Sequence, residues 1–262
     1  MITRLSLGQY VPVESIIHAL DPRTKIMLVA VYMIAVFNAR TYLQFGLLVI
    51  SCILILVLSR VNYKIYAGGI KPFRFIILAT ILAQAIIMPG TPVISLPFIE
   101  VSRPGLTAGV LTGLRLVLIL VMAQVLSTTT TPLALTGGMQ KMLKPLGRVS
   151  FPVTETVMIM NTALRFIPLF VEEADRIRKA QMCRGAGLGP SSIKKRLLNI
   201  MALLIPLFVS AFKRANDLAQ AMEARCYTGG ERTSLYELGL TGRDYLVLTI
   251  ILIWALLVII PW

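Results

Sequence analysis

Cysteine and histidine are scarce in this chain, and so are the residue patterns that most enzymes need. The three cysteines, Cys52, Cys183 and Cys226, are odd in number, widely separated and free of any C-x-x-C pair. A disulfide framework is therefore not expected. His18 is the single histidine, which excludes a zinc site assembled from histidines within one chain. No G-x-x-x-x-G-K-[ST], H-E-x-x-H or G-x-S-x-G occurs, so ATP binding, zinc proteolysis and serine hydrolysis by this chain lose their usual signatures. The glycine-rich GAGLG at 185–189 closes a helical pattern, whereas a phosphate loop follows a strand and opens a helix. The apolar segments hold no paired carboxylates to bind magnesium, which counts against a membrane enzyme of lipid-phosphate chemistry. No catalytic residue, metal ligand or cofactor on this chain is expected.

What the sequence has in abundance is apolar length. Of its 262 residues 56% are apolar and 15% charged, with a mean hydropathy of +0.80. These values point to an all-α integral membrane protein. Apolar segments fall at about 25–39, 42–59, 72–89, 106–127 and 244–261, giving about five transmembrane helices. Asp21-Pro22-Arg23-Thr24-Lys25 opens the first, with the aspartate as helix cap and proline in the first turn. No cleavable signal is evident in the first 25 residues.

The formal charge of +14 reads chiefly as a topology signal. Arg23 and Lys25 precede the first span, and Arg60, Lys64, Lys71 and Arg74 crowd the link between the second and third. The links after spans one and three carry only Arg40 and Arg103. The positive-inside rule then places the amino terminus and residues 128–243 in the cytoplasm. Basic residues bordering apolar spans account for the charge without a nucleic-acid partner. The expected organisation is a membrane region over 1–127, a cytoplasmic or membrane-boundary helical domain over 128–243, and a last span over 244–262.

The middle region contains an internal echo. FIPLFVEEADRIRKAQMCRG at 166–185 is answered by LIPLFVSAFKRANDLAQAMEARC at 204–226. In each, IPLFV leads a charged helical stretch that ends in an arginine, Arg184 or Arg225. Residues 197–212 are too short an apolar run to span comfortably, and a spanning hairpin would carry many basic residues outside. Two long boundary helices are expected instead, kinked at Pro168 and Pro206. Gly185 closes the first, while Cys226 and Tyr227 delay closure of the second to Gly229. The small neighbours Cys183, Gly185, Ala224 and Cys226 leave each guanidinium free to enter a groove on another protein and make a forked bond to a carboxylate. An arginine at one helix end would more simply complement the helix dipole, but the repetition favours docking.

Other features carry two readings each. Arg115 lies about three turns inside the fourth span, where it either makes a structural or partner pairing, with Glu100 or with the backbone carbonyls of a partner, or snorkels to the outer headgroups. Gln84 and Gln124 suit interhelical hydrogen bonds. Glu172, Glu173 and Asp175 sit among Arg176, Arg178 and Lys179, a solvated helix face with local pairs. Met158, Met160, Met182, Met201 and Met222 lie on the two long helices, either as core filling or as adaptable contact surface. A conventional permease subunit with its own substrate path would need more polar groups near the bilayer midplane than these spans supply.

These residues resemble the transmembrane T component of energy-coupling factor (ECF) transporters, prokaryotic ABC-type importers of vitamins and metals. The likeness runs through LGQYVPVESIIHALDPRTK at 7–25, MNTALRFIPLFVEEADRIRKAQMCRGAG at 160–187 and AMEARCYTGG at 221–230. Members of that family carry two Ala-Arg-Gly signatures at the ends of two coupling helices. They match Cys183-Arg184-Gly185 and Ala224-Arg225-Cys226, each departing by one cysteine. The resemblance implies a non-catalytic scaffold in the cell membrane. Two ABC-type ATPases, which hold the ATP and magnesium, receive the arginine-tipped helices, and one or more small substrate-capture membrane subunits pack against the scaffold.

Overall fold

The computed structural model describes residues 10–96, 99–143, 153–184, 193–228, 239 and 241–259. Among them the order is α1 (Pro22–Asn38), α2 (Tyr42–Ser59), α3 (Tyr63–Ile70), a 3-10 turn (Lys71–Phe73), α4 (Arg74–Ile87), β1 (Pro92–Leu96), β2 (Ile99–Ser102), α5 (Arg103–Thr129), α6 (Pro132–Leu143), α7 (Val153–Cys183), α8 (Ile193–Glu223) and α9 (Gly242–Ile259). The chain divides into two compact units, 1–139 with 237–262, and 140–236.

In the first unit, three helical stretches are long and apolar enough to cross a membrane: Tyr42–Ser59, Tyr63–Ile87 and Arg103–Thr129. The class is all-α, with one short antiparallel hairpin, β1–β2, between α4 and α5. The third apolar stretch begins nine residues earlier than its hydropathy suggests. Asn62 accepts the Lys64 N–H at 3.0 Å and starts α3, and a 3-10 turn carries the helix past Pro72 into α4. Lys64 and Lys71 thus ride on helical turns where a link between spans is expected.

Small residues let α5 lie close against α4. A Cβ added at Gly105 would stand 2.6 Å from the Gln84 carbonyl oxygen, and one at Gly109 would stand 2.8 Å from that of Ile81, so the backbones touch where side chains would hold them apart. Gln124 makes the interhelical bonds expected of it. With its amide oriented to match its neighbours, it donates to the Tyr66 carbonyl at 3.1 Å and accepts from the Gly69 N–H at 3.3 Å. The core gathers α1, α2, α5 and α9. Tyr32 stacks on Trp254 with ring centroids 5.5 Å apart and donates its hydroxyl to the Leu48 carbonyl at 2.8 Å. Gln44 accepts the Arg40 and Thr41 N–H groups that precede α2 and donates to Val258 on α9 at 2.9 Å.

The second unit is built around α7 and α8, each 31 residues long and helical straight through its internal proline.

Candidate functional site

The two long helices meet through polar contacts at particular turns. Arg214 of α8 reaches Glu173 of α7 at 3.4 Å, and the Gln181 amide donates to the Ala202 carbonyl at 3.3 Å. Going up α7 from 173 to 181 means going down α8 from 214 to 202, so the helices cross with opposite sense. Their carboxyl ends therefore diverge. At about 1.5 Å per residue, Arg184 and Arg225 stand roughly 30–40 Å apart. The acidic cluster splits accordingly. Asp175 pairs locally with Lys179 at 2.8 Å and Arg178 at 3.3 Å, while Glu173 pairs across to the other helix.

Both helix ends close at the arginines. The Arg184 N–H is shared between the Ala180 and Gln181 carbonyls at 3.2 and 3.1 Å; Gly185 lies outside the described residues. In α8 the closure is complete and differs from the sequence expectation. The Tyr227 N–H reaches back to the Met222 carbonyl at 3.0 Å and the Cys226 N–H to that of Glu223 at 2.8 Å, and Cys226 has φ of 55°. This is a Schellman closure with Arg225 as the cap and Cys226 as the left-handed residue. The helix ends there without waiting for Gly229, because the paired back-bonds satisfy the orphan carbonyls even with a side chain at the left-handed position.

Cys183, Arg184, Ala224, Arg225 and Cys226 are all exposed. Among the described residues neither guanidinium has a partner, so neither caps its own helix. α8 also presents an exposed apolar stripe, Leu204, Ile205, Phe208, Val209 and Phe212, recurring at helical spacing. Met160, Met182 and Met201 are exposed as well, which sets them on the surface and not in a core.

Residues 13–235 match the family model described as cobalt transport protein, CbiQ. A protein from Acidaminococcus fermentans named energy-coupling factor transporter transmembrane protein EcfT is 44% identical over 264 residues, covering 100% of this chain and 98% of its own length. A protein of the same name from Bacillus subtilis is 40% identical over 262 residues, 98% of each chain. One from Thermanaerovibrio acidaminovorans is 44% identical across 87% of this chain and 84% of its own. The chain belongs to this family. The EcfT family is one of transporter membrane components, a non-enzymatic role, and the apolar helices described above suit it.

Arg115 behaves unlike the two tip arginines of this EcfT-family chain. Its Nε donates to the Val36 carbonyl at 3.1 Å and its Nη2 to that of Ala39 at 2.9 Å, and its guanidinium lies 5.6 Å from the centre of the Phe45 ring. It caps the carboxyl end of α1, a structural pairing within the chain. Sequence reasoning missed a second inward cation. Lys25, taken as a topology charge, is 5% exposed and donates to the carbonyls of His18 and Thr129 at 3.1 and 3.0 Å. Its position one turn inside a capped apolar helix was the available signal.

Proposed function

We propose that this chain is the membrane scaffold of an ECF-type importer, in which Arg184 and Arg225 each engage one of two cytoplasmic ABC-type ATPases. Nucleotide-driven motion of the ATPases passes through α7 and α8 to a small membrane subunit that captures the substrate. The observation that carries this reading is the pair of exposed arginines, without a partner among the described residues, at the diverging ends of two crossed helices. A guanidinium with small neighbours fits a carboxylate-lined groove through forked, charge-assisted bonds. Separate tips suit separate partners. The exposed stripe on α8 supplies an apolar face for the capture subunit or the membrane boundary. The chain resides in the prokaryotic cell membrane with its amino terminus inside. ATP and magnesium stay with the ATPases, and the capture subunit selects the vitamin or other micronutrient.

The test is co-purification and uptake with Arg184→Glu, Arg225→Glu and the double reversal, expressed with the partner subunits. Wild-type chain retains both ATPases. The double variant still inserts but loses them, and uptake falls by about two orders of magnitude, as expected for two charge-assisted contacts turned repulsive. Unchanged uptake in the double variant would falsify the docking role. A chain that purifies alone and binds a small substrate directly would instead be a self-sufficient permease.

A further inference from the structure

The segment 7–25, prominent in the sequence, has no part in the roles proposed above for Arg184 and Arg225. Its described part, from Tyr10 to Lys25, is laced to two places that matter for transmission: the end of α5, after which the chain leaves for the 140–236 unit, and the start of α9, where it has returned. At the exit, the Val11 N–H donates to the Thr128 carbonyl at 3.0 Å, and the Lys25 ammonium bridges the carbonyls of Thr129 and His18. His18 fixes its own turn, with Nε2 3.0 Å from the Val11 carbonyl and Nδ1 2.7 Å from the Ser15 hydroxyl. Burial lowers its pKa from the ordinary histidine value. The neutral ring then donates from Nε2 and accepts at Nδ1.

At the return, the Asp244 carboxylate is 2% exposed overall as a residue and fully engaged. One oxygen accepts the Asp21 N–H at 2.9 Å and the Thr24 hydroxyl at 3.2 Å. The other accepts the Thr241 N–H at 2.9 Å, closing the first turn of α9. Asp21, in turn, caps α1 by accepting the Arg23 N–H at 2.9 Å. Asp21, Thr24, Lys25, Thr129 and Asp244 are all buried. The Asp21 and Asp244 carboxylates oppose only in part the cost of burying the Lys25 ammonium, and the hydrogen bonds above join three helices in one buried network.

We propose that Lys25 and Asp244 are positioning residues for coupling: they lock the exit from α5 and the entry to α9 onto the first turn of α1. Motion of the two-helix unit then reaches the membrane helices at a rigid root, where slack connections would absorb it. This rests on the scaffold reading above, and the experiment separates the two.

The first arm uses the assembled transporter in proteoliposomes with Lys25→Met and Asp244→Asn. The ATPases remain bound and hydrolyse ATP, while substrate taken up per ATP falls several-fold, since a transmitting contact acts through placement. A residue important only for folding would lower complex yield, and with it hydrolysis and uptake in proportion. An unchanged ratio overturns the lock. Should Lys25→Met fail to insert, Thr24→Val removes one of the Asp244 bonds at similar shape, and the same ratio is read from it. The second arm needs no partner: amide exchange of the isolated chain in detergent. In Lys25→Met, protection falls at Thr128–Thr130 and also at residues 241–245, because the lock is one unit. Loss confined to 128–130 means independent joints and overturns it. If wild-type chain binds no ATPases, the scaffold reading fails while this second arm still decides the lock.

Discussion

The two units use the same kind of cation in opposite ways. In the membrane unit Arg115 and Lys25 turn inward and cap helix ends that are not their own, α1 and α5. In the two-helix unit Arg184 and Arg225 stand at the ends of their own helices, exposed, with no partner among the described residues. A helix end attracts positive charge through its unpaired carbonyls, so the dipole alone would have predicted four similar caps. Two guanidiniums left outward against that attraction are consistent with a partner that lies outside the chain, and two cations drawn inward mark the frame that must stay rigid.

The strongest way to break this contrast is to exchange the behaviours. Arg184→Glu or Arg225→Glu is expected to reduce ATPase retention at least about tenfold each, with no change in the thermal midpoint of the chain in detergent. Arg115→Leu is expected to do the reverse. It leaves the Val36 and Ala39 carbonyls buried and unpaired, a loss of about 2–3 kcal/mol of stability, while assembled complex that survives still binds ATPases. If Arg115→Leu spared stability and abolished docking, the inward and outward assignments would be wrong.

A smaller effect sharpens the geometry of the outward pair. Glu173 and Arg214 are part-buried at the crossing of α7 and α8, so removing either is expected to destabilise by only about 1 kcal/mol. The informative readout is distance. Spin labels on the exposed Cys183 and Cys226, with Cys52 buried, should report a separation of roughly 30–40 Å. Glu173→Arg should broaden that distribution, and the swapped pair Glu173→Arg with Arg214→Glu should narrow it again. Failure of the swap to restore it would show that the ion pair does not set the tip spacing.

Much of this architecture is legible in the sequence, for identifiable reasons. The 42–59 helix is bounded as its hydropathy indicates, and the IPLFV echo locates the two long helices because amphipathic periodicity and charge change together there. The third apolar helix starts earlier than expected because a single capping residue, Asn62, outweighs the basic residues around it. The inward role of Lys25 was hidden because its acceptors, Thr129 and His18, are backbone carbonyls brought near only by tertiary packing. For Arg115 the sequence offers Glu100 or a partner's carbonyls as acceptors, whereas the carbonyls it meets close α1 of the same chain, and nothing in the sequence pointed there. Glu173 looked like its neighbours for the same reason: only the crossing distinguishes it from Asp175.

The subtlest of these differences lies at residue 226, where a cysteine stands at the place a glycine occupies in the signature. Its φ of 55° is in the left-handed region, which disfavours any residue with a Cβ by about 1–2 kcal/mol. Cys226→Gly relieves that strain but gives the unfolded chain more freedom, about 0.5–1 kcal/mol in the other direction. The net expectation is a gain below about 1 kcal/mol, read as a small rise in thermal midpoint, with uptake unchanged because Arg225 keeps its cap position. The two bonds of the closure, from Tyr227 to Met222 and from Cys226 to Glu223, depend on the backbone and not on the thiol, so they survive the change. A marked loss of ATPase binding in Cys226→Gly would show that the thiol itself touches the partner, making the second tip chemically different from the first.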